Sequence, residues 1–187
     1  MKTITLTKFD VAERQLLQAI RMFFREEDVI SIHTLAEAAN QVLSDIGSDY
    51  DTKSIFREND RIREDKKKEW LRHMFKSRNF FKHADRDKCT SHEFRPDVNH
   101  FSLLDGVSMY SSIKQAWVPE TLIFQLWFSA NYPELMIEES AFNQMVKVGL
   151  ETGQFPNPKE KLLLSECIQA QRNGHKAVSG VNLGYGL

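Results

Sequence analysis

Two cysteines in 187 residues, Cys89 and Cys167, give the chain no disulfide framework, so burial alone has to hold the fold, and a reducing, cytoplasmic setting is expected. Long apolar runs are also missing. No stretch approaches the roughly 18 apolar residues that span a bilayer, and "MKTITLTKFD" lacks the apolar segment of an export signal, so neither membrane insertion nor secretion is expected. The chain further lacks a glycine-rich phosphate loop, an internal repeat and a series of alternating strands. Those absences exclude P-loop, solenoid and β architectures.

What is present is apolar residues at helical spacing. Hydrophobic content is 41%, charged content 27%, and thirteen Phe supply much of the bulk, enough for one well-packed domain. In "FDVAERQLLQAIRMFFREED" the residues Val11, Leu16, Leu17, Ile20, Phe23 and Phe24 predict a helix over about 11–26, with Asp10 and Glu13 as a capping box. "SIHTLAEAANQVLSDIG" predicts a second, with Ser31 as N-cap, Gly47 as C-cap and an apolar stripe of Ile32, Leu35, Ala36, Ala39, Val42, Leu43 and Ile46. These two should form a hairpin.

A polar connection over 48–53 then leads into a long charged helix running toward His83. "DRDKCTSHEFRPDVN" reads as loop. "HFSLLDGVSMYSSIKQ" is a fourth helix capped by Asp97 or Asn99, and "PETLIFQLWFSANYPEL", opened by Pro119, should be the most buried. Two shorter helices, about 138–150 and 158–172, complete an all-α bundle of about six to seven helices. One domain over 1–172 is expected, followed by an irregular tail over 173–187, "NGHKAVSGVNLGYGL", which holds four glycines.

Net charge is -1, yet its distribution is uneven. From Lys53 to Arg95 there are fourteen Lys and Arg against eight Asp and Glu. Mixed signs in "RENDRIREDKKKE" fit a solvated helix, while the surplus fits a surface that meets polyanions.

Within that basic middle, "RNFFKH" places Arg78, Asn79 and His83 in the order arginine, polar residue, three further residues, histidine. This resembles the HEPN superfamily, all-α domains whose ribonuclease members carry such a motif. The resemblance implies metal-independent RNA cleavage with no cofactor. His83 would take the proton of a 2′-hydroxyl, Arg78 would hold the phosphate as charge builds on it, and Asn79 would orient the histidine or bind phosphate. Arg72, Lys76 and Lys82 would hold the RNA backbone. In the family two protomers bring their motifs into one cleft, so a homodimer is implied. Toxin-like members often show Tyr two residues after the His, where this chain has Asp85. "NFFKHADRD" is also similar to a group of uncharacterised bacterial helical proteins.

Helix geometry sets a condition on this reading. At about 100° per residue, an unbroken helix turns Arg78 and His83 about 140° apart, with Arg78 inside the apolar arc of Trp70, Leu71, Met74 and Phe81. Either the helix breaks near Ser77, or Arg78 wraps around, or the two residues do not act together. An arginine in an apolar arc also needs a partner, such as a carboxylate from another helix or a second subunit.

Two alternatives use the same stretch. His83, Asp85, Asp87, Cys89 and His92 are five candidate metal ligands, with C-x-x-H spacing at Cys89 and His92, although no second paired motif accompanies them. A non-catalytic helical interaction protein with a protein partner is the other, in which the stretch ends a helix and lines an interface. Elsewhere, His33 reads as a helix residue hydrogen-bonded nearby, and Cys89 lacks an activating base. The series Trp117, Phe124, Trp127, Phe128 and Tyr132 reads as core.

Overall fold

The computed structural model describes residues 3–57, 63–83, 85, 88–137 and 139–175. Among them are eight α-helices and no strand: α1 (Lys8–Phe24), α2 (Val29–Gly47), α3 (Glu64–Met74), α4 (Lys76–Lys82), α5 (Val98–Lys114), α6 (Pro119–Asn131), α7 (Ala141–Glu151) and α8 (Lys161–Arg172). The count exceeds seven because the charged helix is two helices. No described helix is long and apolar enough to cross a membrane. Most of the expected tail, 176–187, lies outside the described residues.

α1 and α2 pack along each other as a hairpin, and α5 and α6 close over them with α8 at one end. α1 begins earlier than expected. Thr7 is its N-cap and forms a reciprocal capping box with Asp10. Glu13 is instead buried, where its Oε1 accepts from the Tyr110 hydroxyl at 2.5 Å and from Lys114 Nζ at 3.1 Å. A carboxylate so placed joins α1 to α5 and is unavailable for capping.

Similar shifts occur at other helix ends. Asp28, not Ser31, caps α2, its carboxylate accepting from the Ser31 N–H at 2.7 Å. Gly47 remains inside the helix, packed so closely that an added Cβ would lie 2.6 Å from the Thr52 carbonyl oxygen. Asp97 holds the N-cap position of α5 without capping it, since its carboxylate receives Arg95 at 2.7 Å. Pro119 does open α6, and ten of that helix's thirteen residues are buried.

The core gathers Leu16, Ile20 and Phe24 of α1, Ala36, Ala39 and Leu43 of α2, Leu103 and Tyr110 of α5, and Leu122, Phe124 and Phe128 of α6. Fully burying each of the larger side chains contributes roughly 1.5–3 kcal/mol. α5 approaches α1 and α2 at Gly106, where a Cβ would meet Asn40 Oδ1 at 2.5 Å and Leu16 Cδ1 at 2.7 Å. At the far end buried Glu120 receives Arg21 at 2.6 Å and Arg172 at 2.7 Å, tying α1, α6 and α8 together. Losing either arginine would leave a buried charge less compensated.

One segment departs clearly from expectation. Helix was expected from about Lys53, but 52–57 is a non-helical strap, residues 58–62 lie outside the described set, and α3 starts at Glu64. The strap is pinned to α5. Thr52 Oγ1 lies 2.6 Å from Ser112 Oγ, Ser54 Oγ donates to Asp105 at 2.7 Å, and the Ile55 N–H donates to the other Asp105 oxygen at 2.7 Å. Satisfying a buried carboxylate outweighs the weak local preference of these residues for helix.

Candidate functional site

The charged stretch folds as α3, a turn at Phe75 and α4. Phe75 has φ -98° and ψ 11°, yet its N–H still reaches Leu71 O at 2.9 Å and its carbonyl accepts Asn79 N–H at 2.9 Å. The interruption is therefore brief. It falls two residues before Ser77 and leaves the angular relation between Arg78 and His83 essentially that of one helix. The side chain of Met74, used to define the apolar arc, lies outside the described set.

Two faces follow from the 3.6-residue period. Arg72, Lys76, Asn79, Phe80 and His83, at i, i+4, i+7, i+8 and i+11, share the outer one. They line an open cleft of about 540 Å³, closed on its other side by Asp85, Thr90, Ser91 and His92. Arg72, Lys76, Asn79 and His83 are exposed. The His83 N–H caps α4 by donating to Asn79 O at 3.1 Å. His92 is half-buried, with Nε2 2.8 Å from Ser77 Oγ and its ring against Phe80.

The inner face carries Arg78 and Phe81, with Lys82 exposed at its edge. Arg78 donates to Gln41 Oε1 at 3.0 Å, and its guanidinium lies over the Phe75 ring at 4.3 Å. Arg57 reaches the same Gln41 oxygen, and its guanidinium is 4.7 Å from the Phe75 centroid. The partner of Arg78 is thus an amide and an aromatic ring of its own chain. Phe81 packs against His33 and Phe94. Burial pulls the Lys82 ammonium below its usual range, Arg78 and Arg57 push it the same way, and Glu37 opposes them. So the residues named from sequence divide: Arg72, Lys76, Asn79 and His83 come together, while Arg78 and Lys82 do not line their cleft.

Behind the inner face lies a buried polar cluster, of which the sequence pointed only to His33, as a hydrogen-bonded helix residue, and to Asn99, as a cap. Glu37 accepts Ser102 Oγ at 2.8 Å and faces Arg57 at 3.5 Å. Asn40 donates to Ser102 O at 2.8 Å, and His33 Nδ1 lies 3.0 Å from Asn99 Oδ1. Burial lowers the His33 pKa, Glu37 and Asn99 pull it back up, and Arg78 and Lys82 add to the lowering. Asp105 is pushed up to about 6, chiefly by burial, against the downward pull of Ser54, Ile55 and Arg57. The signal was in the spacing. His33, Glu37 and Asn40 interrupt the apolar stripe of α2 at i, i+4 and i+7, and Asn99, Ser102 and Asp105 recur every third residue of α5.

The metal-ligand alternative gains no cluster. Among the described residues no three His, Cys, Asp or Glu side chains gather to hold an ion, and Asp87 lies outside the described set. Cys89 is an exposed free thiol. What the outer cleft offers chemically is two flexible cations for phosphate, an amide, an aromatic face for a base and two imidazoles for proton transfer. Comparison of the chain with protein-family models, with curated proteins and with solved structures finds no match.

Proposed function

We propose that the chain is a HEPN-like helical protein that binds single-stranded RNA in the cleft of α3 and α4 and cleaves it without a metal. The observation that carries this reading is the single helical stripe that aligns Arg72, Lys76, Asn79, Phe80 and His83 along one open cleft. Arg72 and Lys76 hold the phosphate, Phe80 stacks a base, Asn79 hydrogen-bonds the backbone, and His83 accepts the 2′-hydroxyl proton. Arg78 acts here as the clamp that seats α4 on α2, in place of the phosphate-holding role that the motif implies.

Pairing of two copies belongs to the same reading, and sedimentation equilibrium tests it. A shared cleft that joined Arg78 of one copy to His83 of another would first have to free Arg78 from Gln41 and Phe75. Two free thiols fit a cytoplasmic setting. The deciding experiment is an RNA cleavage assay in EDTA, on structured and unstructured substrates. Wild-type protein should cut, His83→Ala should not, and Arg72→Ala with Lys76→Ala should weaken RNA binding. Inert wild-type protein would sink the cleavage reading. It would favour a non-catalytic interaction protein, the second reading, which the inward Arg78, bonded to Gln41 and lying over Phe75, supports.

A further inference from the structure

Transesterification at phosphorus involves two proton transfers, and His83 serves only the first. The departing 5′-oxygen needs a proton from another group. His92 lines the same cleft from the facing loop. Its Nε2 lies 2.8 Å from Ser77 Oγ on α4, and its ring is tilted on Phe80, with centroids 5.1 Å apart. Phe81 borders it on a third side, at 6.2 Å. A solvated loop histidine would have no such seat. This imidazole is held by a hydroxyl and two aromatic rings beside the cations that would carry the phosphate.

Resting on the cleavage reading above, the geometry points to His92 as the second reacting residue, a general acid for the 5′-oxygen of single-stranded RNA, with Ser77 as its positioning residue. The step balances without metal, oxidant or co-reactant. Neutral His83 takes the proton of the 2′-hydroxyl, the 2′-oxygen bonds to phosphorus, and the bond from phosphorus to the 5′-oxygen breaks. His92 imidazolium then protonates that oxygen. In that form Nε2–H donates to Ser77 Oγ, so the Nδ1 proton is the one transferred. The products are a 2′,3′-cyclic phosphate and a 5′-hydroxyl, and exchange with water resets both histidines. DNA, without the 2′-hydroxyl, is not a substrate.

The test uses full-length protein and two versions of an RNA oligonucleotide that wild-type protein cuts at a mapped position. In the second version sulfur replaces the bridging 5′-oxygen at that position, giving a leaving group that departs without a proton. His92→Ala should cut ordinary RNA at least about 100-fold more slowly than wild type and the sulfur version within a few-fold of it, which also shows that the variant is folded. His83→Ala should be slow on both, and Ser77→Ala should share the His92→Ala pattern in milder form. Equal losses of His92→Ala on both substrates, or unchanged cutting of ordinary RNA, would overturn the assignment and leave the cleavage reading standing. Failure of wild-type protein to cut either substrate ends both.

Discussion

The two faces of the stretch from Arg72 to His83 carry similar residues to different ends. On the outer face Arg72 and Lys76 stand in solvent beside His83. On the inner face Arg78 is spent within its own chain, on Gln41 and the Phe75 ring. A cation that is already desolvated and hydrogen-bonded has little left to offer a ligand, whereas an exposed one keeps its charge for a phosphate. Position on the helix, more than residue type, separates the cation seated on Gln41 and Phe75 from those left in solvent.

That division can be broken by mutation. The largest effect is expected for His83→Ala, with at least a 100-fold loss of RNA cleavage and an unchanged urea midpoint. A matching loss of stability would place His83 on the structural side. Next comes Arg78→Ala, which removes a cation–π contact and a charged hydrogen bond and should lower stability by about 1–3 kcal/mol in urea unfolding. A fall in RNA affinity at unchanged stability would return Arg78 to the binding face.

Asp105 tests the inner cluster through pH. Its carboxyl ionises near 6 in the folded chain against an ordinary value of 3.8. The native state therefore holds its proton more tightly, and this group favours folding as pH falls through 6. His100 works the other way, since burial and Lys161 depress it from 6.5 to about 4, so acidification through that window costs stability. Asp105→Asn leaves the His100 loss unopposed. Between pH 7 and 4.5 the variant should lose on the order of 2 kcal/mol more than wild type, measured by urea titrations at each pH. Parallel curves would mean that Asp105 ionises as it does in water.

The smallest effect is Lys76→Ala. RNA affinity should fall a few-fold, and the slope of log affinity against log salt should drop by about 0.7, the value for one phosphate contact on a single strand. An unchanged slope would remove Lys76 from the interface.

Much of the helical framework was legible because apolar spacing is a local property. Leu16, Leu17, Ile20 and Phe24 mark α1, and Pro119 marks the start of α6. Helix ends were less legible. Thr7 pairs with Asp10 at the start of α1 because Glu13 is held inside, against Tyr110 and Lys114, and at α2 Asp28 takes the cap expected of Ser31. The strap over 52–57 could not be foreseen from its own residues, because Asp105, its anchor, lies about fifty positions away.

For the cleft, the sequence by itself determined that Lys76, Asn79, Phe80 and His83 share one helical face and that Arg78 opposes them, since about 100° per residue is fixed by backbone geometry. Only the tertiary structure decided which of those faces is covered. Gln41 and Phe75 seat Arg78, and the loop bearing His92 borders the opposite side. Burial depends on partners brought together from across the chain, and no local period encodes them.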